Sequence, residues 1–190
     1  MLRCDRLVGV VLVSLMGCGN QPPPPDTASR TTVALQDTVA PFPGTWEPVH
    51  QPWRGQPGDP TILHLAATAA TEPGFDRLTF EFSGERVPGY RIAYSPPPIR
   101  HCGSGDSVPL TGAGFLVVRF EPAQAHDDQG RPTITDRAWA PTLPTVRELK
   151  LVCDFEGQVE WAVGLAARRR YRVLEAAAPT RLFVDVLHRD

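Results

Sequence analysis

The chain has 190 residues, of which 42% are hydrophobic and 21% are charged, which is enough apolar sequence for one folded domain and excludes a chain that is disordered throughout. Its formal net charge of -2 and its pI near 6.2 argue against a protein that binds nucleic acid non-specifically. Lys150 is the only lysine, so nearly all of the positive charge is carried by arginine.

The N-terminal segment has the parts of an export signal. Two arginines make its start positive, and residues 7–16 form an apolar run that is too short to span a bilayer. The run ends in Leu15-Met16-Gly17-Cys18, which resembles the lipobox of bacterial lipoproteins. In that family the cysteine thiol receives a diacylglyceryl group and the signal is cut before it. The resemblance implies a signal peptide over residues 1–17 and lipidation of Cys18, and the alternative is a plain secretory signal that is cut elsewhere.

Residues 18–58 are predicted to form a flexible tether. They include a run of four prolines and a stretch rich in Thr, Ser, Ala and Asp. Such a composition cannot bury enough apolar surface to order itself, and a proline run is a stiff extended spacer. We expect the tether to hold the domain away from the membrane. Trp46 and Trp53 lie near its end, and we expect them to pack on the domain because indoles are mostly buried.

The predicted domain, residues 59–190, alternates apolar and polar residues in the manner of β-strands. In the clearest case Leu78, Phe80 and Phe82 share one face of a strand. Seven strands are predicted, at residues 77–82, 90–94, 115–120, 149–155, 159–165, 170–174 and 182–186, and residues 62–65 are a candidate for an additional early strand.

Helix signals in the domain are weak. Only residues 142–149 have the pattern of a short helix, and residues 122–140 are expected to form a long excursion or hairpin. Many short strands with frequent turns predict a mainly β fold, an antiparallel β-sandwich or open barrel with at most one short helix.

Two cysteines, Cys102 and Cys153, remain in the predicted mature domain. Outside the cytoplasm such a pair favours one disulfide, which would close a loop of about 50 residues and contribute about 3 to 4 kcal/mol. Cys153 is in phase with the apolar residues of its strand, so we expect it to point inward. The alternative is two unpaired cysteines, with Cys153 as a small core residue.

Several segments of the domain, in their order and spacing, carry a resemblance to a known family. They are residues 74–82, 87–92, 103–105, 108–112, 154–157 and 179–186, and the last segment matches best. Together they resemble the AMIN-like domain of bacterial envelope lipoproteins. The resemblance implies a β-sandwich with a small helix. It also implies a role in the cell wall, because the broader AMIN group is associated with the localisation of amidases and secretion components there through binding of peptidoglycan.

Catalytic and metal-binding motifs have little support. His101, Asp106 and Ser107 include the residue types of a triad, but triads are defined by geometry, and no Gly-x-Ser-x-Gly nucleophile elbow occurs. The His126-Asp127-Asp128 run is expected to be a solvated loop, because metal ligands must converge from several elements. We therefore expect no enzyme, no metal and no cofactor, and the AMIN-like resemblance supplies no catalytic residues.

Arg168, Arg170 and Arg172 belong to the densest positive run and would share one face of a strand. Arginine binds carboxylates and phosphates through paired hydrogen bonds, so these residues are candidates for binding an acidic envelope polymer. The alternative is an exposed edge whose charges discourage aggregation. Trp139 is a candidate for contact with a protein partner.

We therefore expect a lipoprotein that is anchored to a membrane, faces outside the cytoplasm and binds a component of the cell envelope such as peptidoglycan. The alternative is a protein-interaction adaptor for an envelope enzyme or a secretion complex. Nucleic acid is not an expected partner.

Overall fold

The computed structural model describes residues 42–190, and the chain folds there into β-strands without a helix. The predicted signal peptide, the lipidation of Cys18 and the tether up to residue 41 lie outside the described residues. Within the described range, no helix is long and apolar enough to cross a membrane. The strands are β1 (Val49–Gln51), β2 (His64–Glu72), β3 (Phe75–Phe82), β4 (Gly89–Tyr94), β5 (Ile99–Arg100), β6 (Ser107–Val108), β7 (Gly114–Glu121), β8 (Ala138–Trp139), β9 (Val146–Phe155), β10 (Gln158–Leu165), β11 (Tyr171–Ala176) and β12 (Arg181–Leu187).

Two antiparallel sheets build the sandwich. The six-stranded sheet has the order β1-β4-β7-β10-β9-β8, the four-stranded sheet has the order β11-β12-β3-β2, and β5 and β6 form a separate hairpin. The main core takes large side chains from both sheets, with Trp161 and Phe120 from the first and Phe80 and Tyr171 from the second. The predicted mainly β fold is confirmed. All seven predicted strands are present, as β3, β4, β7, β9, β10, β11 and β12, and the early strand is β2.

The short helix predicted at residues 142–149 is wrong, because β9 begins at Val146 and the residues before it are irregular. The fully buried carboxylate of Asp76 accepts hydrogen bonds from the backbone amides of Thr145 and Val146, at 2.7 and 2.8 Å. Val146 then pairs with Leu165 of β10. A buried carboxylate and a sheet ladder thus fix an extended chain where the local pattern alone favoured a helical turn.

Residues 42–58, which the sequence assigned to the tether, contact the sandwich. Strand β1 is flanked by Pro48 and Pro52 and pairs with β4. It is a short strand at the edge of its sheet, where flanking prolines are tolerated. Trp53 packs against the main core as expected. Gly89 of β4 is needed beneath it, since a β-carbon there would lie 2.7 Å from the Trp53 backbone nitrogen. Apolar contacts that are distant in sequence therefore order a segment whose composition predicted flexibility.

The β5–β6 hairpin lies on the outer face of the six-stranded sheet and is bonded to it. Cys102 and Cys153 form the predicted disulfide, with Cα atoms 5.3 Å apart. Ile99 and Val108 of the hairpin make a second, smaller core with Val152 and Ala162. The hairpin is thus held to the sheet by a covalent bond and by apolar contacts.

The sequence predicted that Cys153 points into the main core, but a β-bulge turns it to the outer face of the sheet. The register of β9 against β10 shifts between Glu160 and Trp161, so that Cys153 pairs with Glu160 while Leu151 pairs with Trp161. Trp161 and Leu151 contact the main core, and Glu160 lies on the other face of the sheet. Cys153 is therefore buried beneath the hairpin on the outer face, and not in the main core.

One histidine is fully buried in the main core. The indole nitrogen of Trp161 donates a hydrogen bond of 2.9 Å to Nε2 of His64, and Nδ1 of His64 lies 3.1 Å from the carbonyl oxygen of Glu81. Both contacts suit the neutral ring, with its proton on Nδ1. Burial lowers the pKa of His64 to about 4, against smaller opposing effects of the Glu81 hydrogen bond and the Asp154 charge.

Candidate functional site

The structure does not bring the predicted site arginines together on one strand, because β11 begins only at Tyr171. The guanidinium of Arg168 lies 4.7 Å from the ring centre of Tyr94, and the backbone amide of Arg170 donates to Asp190. Arg172 lies on β11 and is bonded to Asp185 at 2.8 Å. Nε of Arg170 also lies 3.6 Å from the Asp190 carboxylate, so each of the three side chains has a partner within the domain.

Arg172 belongs to a charged ladder on the outer face of the four-stranded sheet. Asp185 of β12 pairs in register with Arg172 on one side and with Arg77 of β3 on the other. The fully buried Asp185 carboxylate accepts two hydrogen bonds from Arg77, at 2.7 and 2.9 Å, and one from Arg172. The rings of Phe42, Phe75 and Phe183 cover the two guanidinium groups. This ladder links the side chains of three neighbouring strands, β3, β12 and β11.

Trp139 also has a structural position. It lies in the two-residue edge strand β8, is half-buried, and its ring centre is 5.4 Å from that of Trp161 in an edge-to-face arrangement. Trp139 therefore covers the edge of the main core, and only part of its ring is left exposed for a protein partner.

A different set of residues forms a concave surface on the outer face of the six-stranded sheet. Across this sheet His50 of β1 pairs with Arg91 of β4, Arg91 pairs with Arg119 of β7, and Arg119 pairs with Glu160 of β10. Their neighbours along the strands, such as Ile92 and Val118, point into the main core. Since side chains alternate along a strand, the four charged or ionisable residues make one row on the outer face.

Two adjoining pockets of about 460 and 410 Å³ lie along this row, and Arg91 and Arg119 line both of them. We call the joined pockets the arginine groove. One end is lined by residues 50–53 of the segment that contains β1, and the wall at the other end is the hairpin residues 98–100. Both margins are held in place, since Trp53 packs on the main core and the disulfide holds the hairpin.

The charges of the arginine groove are only partly balanced by the domain itself. Arg119 donates to the Glu160 carboxylate at 2.8 Å, and Arg100 donates to the carbonyl oxygen of Gly105 at 2.7 Å. Among residues 42–190, no acidic side chain forms an ion pair with Arg91. Glu121 lines the first pocket and adds a second carboxylate. The groove thus offers hydrogen-bond donors from arginine beside carboxylate acceptors.

The sequence did not single out Arg91 and Arg119, because each occupies one polar position in an otherwise ordinary strand. They are brought together only by the pairing of β4 with β7. The alternation of apolar and polar residues does place Arg91 and Arg119 on the polar faces of their strands. The sequence of one strand does not determine its register against the next, so it could not show that the two arginines are neighbours.

The histidines of the two catalytic and metal-binding candidates make contacts within the domain. The backbone amide of His101 donates to the carbonyl of Asp106, and Nδ1 of His101 lies 3.3 Å from the carbonyl oxygen of Val152. Nδ1 of His126 lies 2.8 Å from the carboxylate of Asp154, and the guanidinium of Arg131 donates a hydrogen bond of 2.7 Å to the carboxylate of Asp127. The described residues contain no group of three or more histidine, cysteine or acidic side chains arranged to hold a metal.

Comparison with known proteins identifies one match. The family model described as the AMIN-like domain matches residues 65–188, which is most of the described chain and includes both arginines of the groove. No curated protein and no solved structure matches the sequence.

Proposed function

This chain belongs to the AMIN-like domain family, and we propose that it is a non-enzymatic module that binds a polymer of the cell envelope outside the cytoplasm. Domains of this family are typically extracytoplasmic domains of the envelope. The observation that carries the proposal is the arginine groove, a concave surface with rigid margins and several converging polar side chains. Such a surface suits ligand binding.

Peptidoglycan is the ligand that the chemistry of the groove favours. Its stem peptides carry carboxylates, which arginine binds well, and its sugars carry hydroxyl groups, which donate to carboxylates such as Glu121 and Glu160. Trp53 at one end of the groove adds an aromatic surface. A strand of glycan could therefore find both kinds of hydrogen-bond partner along the row.

The proposal includes a lipid anchor on Cys18, followed by a tether that reaches the sandwich near Phe42. Support for the anchor is the lipobox-like sequence that ends the apolar run. Metabolic labelling with a palmitate analogue should mark the wild-type protein in the membrane fraction, and the Cys18→Ala variant should lose the label. An unlabelled wild-type protein would contradict the anchor and would leave the binding proposal standing.

Co-sedimentation of the full chain with purified cell-wall sacculi tests the binding function. We expect the protein to be found in the pellet, and a free protein that does not sediment serves as the control for trapping. Failure to sediment at both low and physiological salt would overturn the proposal. In that case crosslinking in cells becomes the informative experiment, because capture of one defined envelope protein would support the adaptor function instead.

A further inference from the structure

Arg91 and Arg119 are direct neighbours on adjacent antiparallel strands. Side chains opposite each other in such a pair have β-carbons about 5 Å apart, and two like charges there destabilise the sheet. Their row continues on either side with His50, which adds no negative charge, and with Glu160. One carboxylate thus stands against two permanent cations in the row, and it contacts Arg119 only.

On the opposite face of the domain, a carboxylate lies between two arginines, and no such carboxylate of the described residues lies between Arg91 and Arg119. There, Arg77 and Arg172 also share a row, but the carboxylate of Asp185 lies between them and bonds to both. The same three-group arrangement, with one oxyanion between two guanidinium groups, can form in the groove if the oxyanion comes from outside. Arginine suits this role because its planar fork donates paired hydrogen bonds to carboxylate or phosphate.

The surroundings of the pair favour such an ion. Ala93 and Val117 form an apolar floor beside the arginines, and Pro98 and Ile99 of the hairpin form an apolar wall. A partly enclosed apolar site strengthens charge interactions relative to open solvent. Glu121 and Glu160 are the acids that line the two pockets, and neither lies between Arg91 and Arg119, which are direct cross-strand neighbours.

We propose that Arg91 and Arg119 together clamp an oxyanion of the envelope polymer, a carboxylate or a phosphate. The inference rests on the proposed function, because it names the chemical group that the arginine groove recognises. The guanidinium of Arg91 supplies the donors that have no acid partner among the described residues, and Arg119 shares its donors between Glu160 and the ligand.

The test measures the affinity of the full chain for sacculi at fixed salt. Arg91→Gln should weaken binding by about tenfold or more, the loss expected for charge-assisted hydrogen bonds. The matched control is Arg189→Gln, which removes the same charge from an exposed position after β12, outside the groove. This control should bind as the wild type does. Equal losses in the two variants, or no loss in Arg91→Gln, would overturn the clamp.

Chemically altered sacculi distinguish the two sources of the oxyanion. Amidation with carbodiimide and ammonia removes the carboxylates of the stem peptides, and cold hydrofluoric acid removes phosphodiester-linked polymers. Loss of binding after amidation identifies a carboxylate, and loss after the acid treatment identifies a phosphate. Binding that survives both treatments would overturn the clamp.

The failure of the clamp and the failure of the proposed function give different results. If wild-type protein sediments with sacculi and Arg91→Gln sediments equally well, the domain binds the envelope by another surface. If the wild-type protein does not sediment at all, the function itself is wrong.

Discussion

The outer faces of the two sheets both carry arginines in cross-strand register, and they differ in where the neighbouring acid lies. On the four-stranded sheet, Asp185 separates Arg77 from Arg172 and bonds to both. On the six-stranded sheet, Arg91 and Arg119 are adjacent, and the acid of their row stands at its far end. The first arrangement stabilises the fold and the second leaves donors for a ligand. The order of charges across each sheet, and not the number of arginines, therefore distinguishes the proposed binding face from the other face.

Removal of the acid from the four-stranded face should have the greatest cost in stability. Asp185→Asn leaves two guanidinium groups against a buried amide, so we expect a loss of about 3 to 5 kcal/mol in the free energy of unfolding. Glu160→Gln on the other face should cost less than about 1 kcal/mol, because its partner Arg119 is substantially exposed. Chemical denaturation of both variants measures the difference. Equal losses would mean that the two faces contribute alike.

The disulfide gives a second test, because it supports only the face with the groove. Replacing Cys102 and Cys153 by serine should lower the free energy of unfolding by about 3 to 4 kcal/mol, from the greater freedom of the unfolded chain. The hairpin wall should also loosen and weaken binding to sacculi. Thermal unfolding and sedimentation of the double variant check both effects. Unchanged binding would show that the hairpin is not needed as a wall.

A fall in pH tests the core that lies between the two faces, through the fully buried His64. The pKa of His64 is about 4 in the folded protein, below its ordinary value of 6.5, so the unfolded chain takes up a proton first as the pH falls. Stability is therefore complete above pH 6.5 and declines by about 3 kcal/mol as the pH approaches 4.

The measurement for His64 is the stability of the wild type relative to His64→Gln at several pH values. The gap between the two proteins should narrow as the pH falls from about 7 toward about 4, because glutamine does not titrate. A gap that stays constant over this range would contradict the neutral, buried state of His64.

The smallest expected effect is also the most specific to the comparison. Arg91→Glu gives the six-stranded face the alternation of charge that the other face already has, because the introduced carboxylate stands beside Arg119. We expect the free energy of unfolding to rise by up to about 1 kcal/mol while binding to sacculi is lost. Denaturation and sedimentation on the same sample check this opposition. A variant that is both less stable and unable to bind would argue against relief of repulsion.

Alternation along the strands predicted most of this fold. It located β3, β4, β7 and β9 to β12, because each buries alternate side chains in the main core. It failed where distant contacts decide the local structure. The Asp76 carboxylate holds residues 145 and 146 extended, and the core beneath Trp53 orders a segment rich in proline. Neither partner lies near its segment in sequence.

The candidate site was less predictable than the fold. The expected cluster of Arg168, Arg170 and Arg172 was conspicuous because the residues are close in sequence, yet each has its own partner within the domain. Arg91 and Arg119 lie far apart in the chain and were inconspicuous. Their pairing depends on register, which the hydrophobic pattern constrains only through the folded sheet. The bulge that turns Cys153 outward is a second feature of this kind.

The segment from Phe42 to Gln51 has a mechanical consequence for a domain held by its N-terminal side. Thr45 exchanges two backbone hydrogen bonds with Tyr171 at the start of the four-stranded sheet, and β1 then pairs with β4 of the six-stranded sheet. These attachments are in series along the chain. A pulling force applied ahead of Phe42 therefore loads the Thr45–Tyr171 contact before it reaches β1. The strand that borders the groove is shielded from tension until that first contact yields.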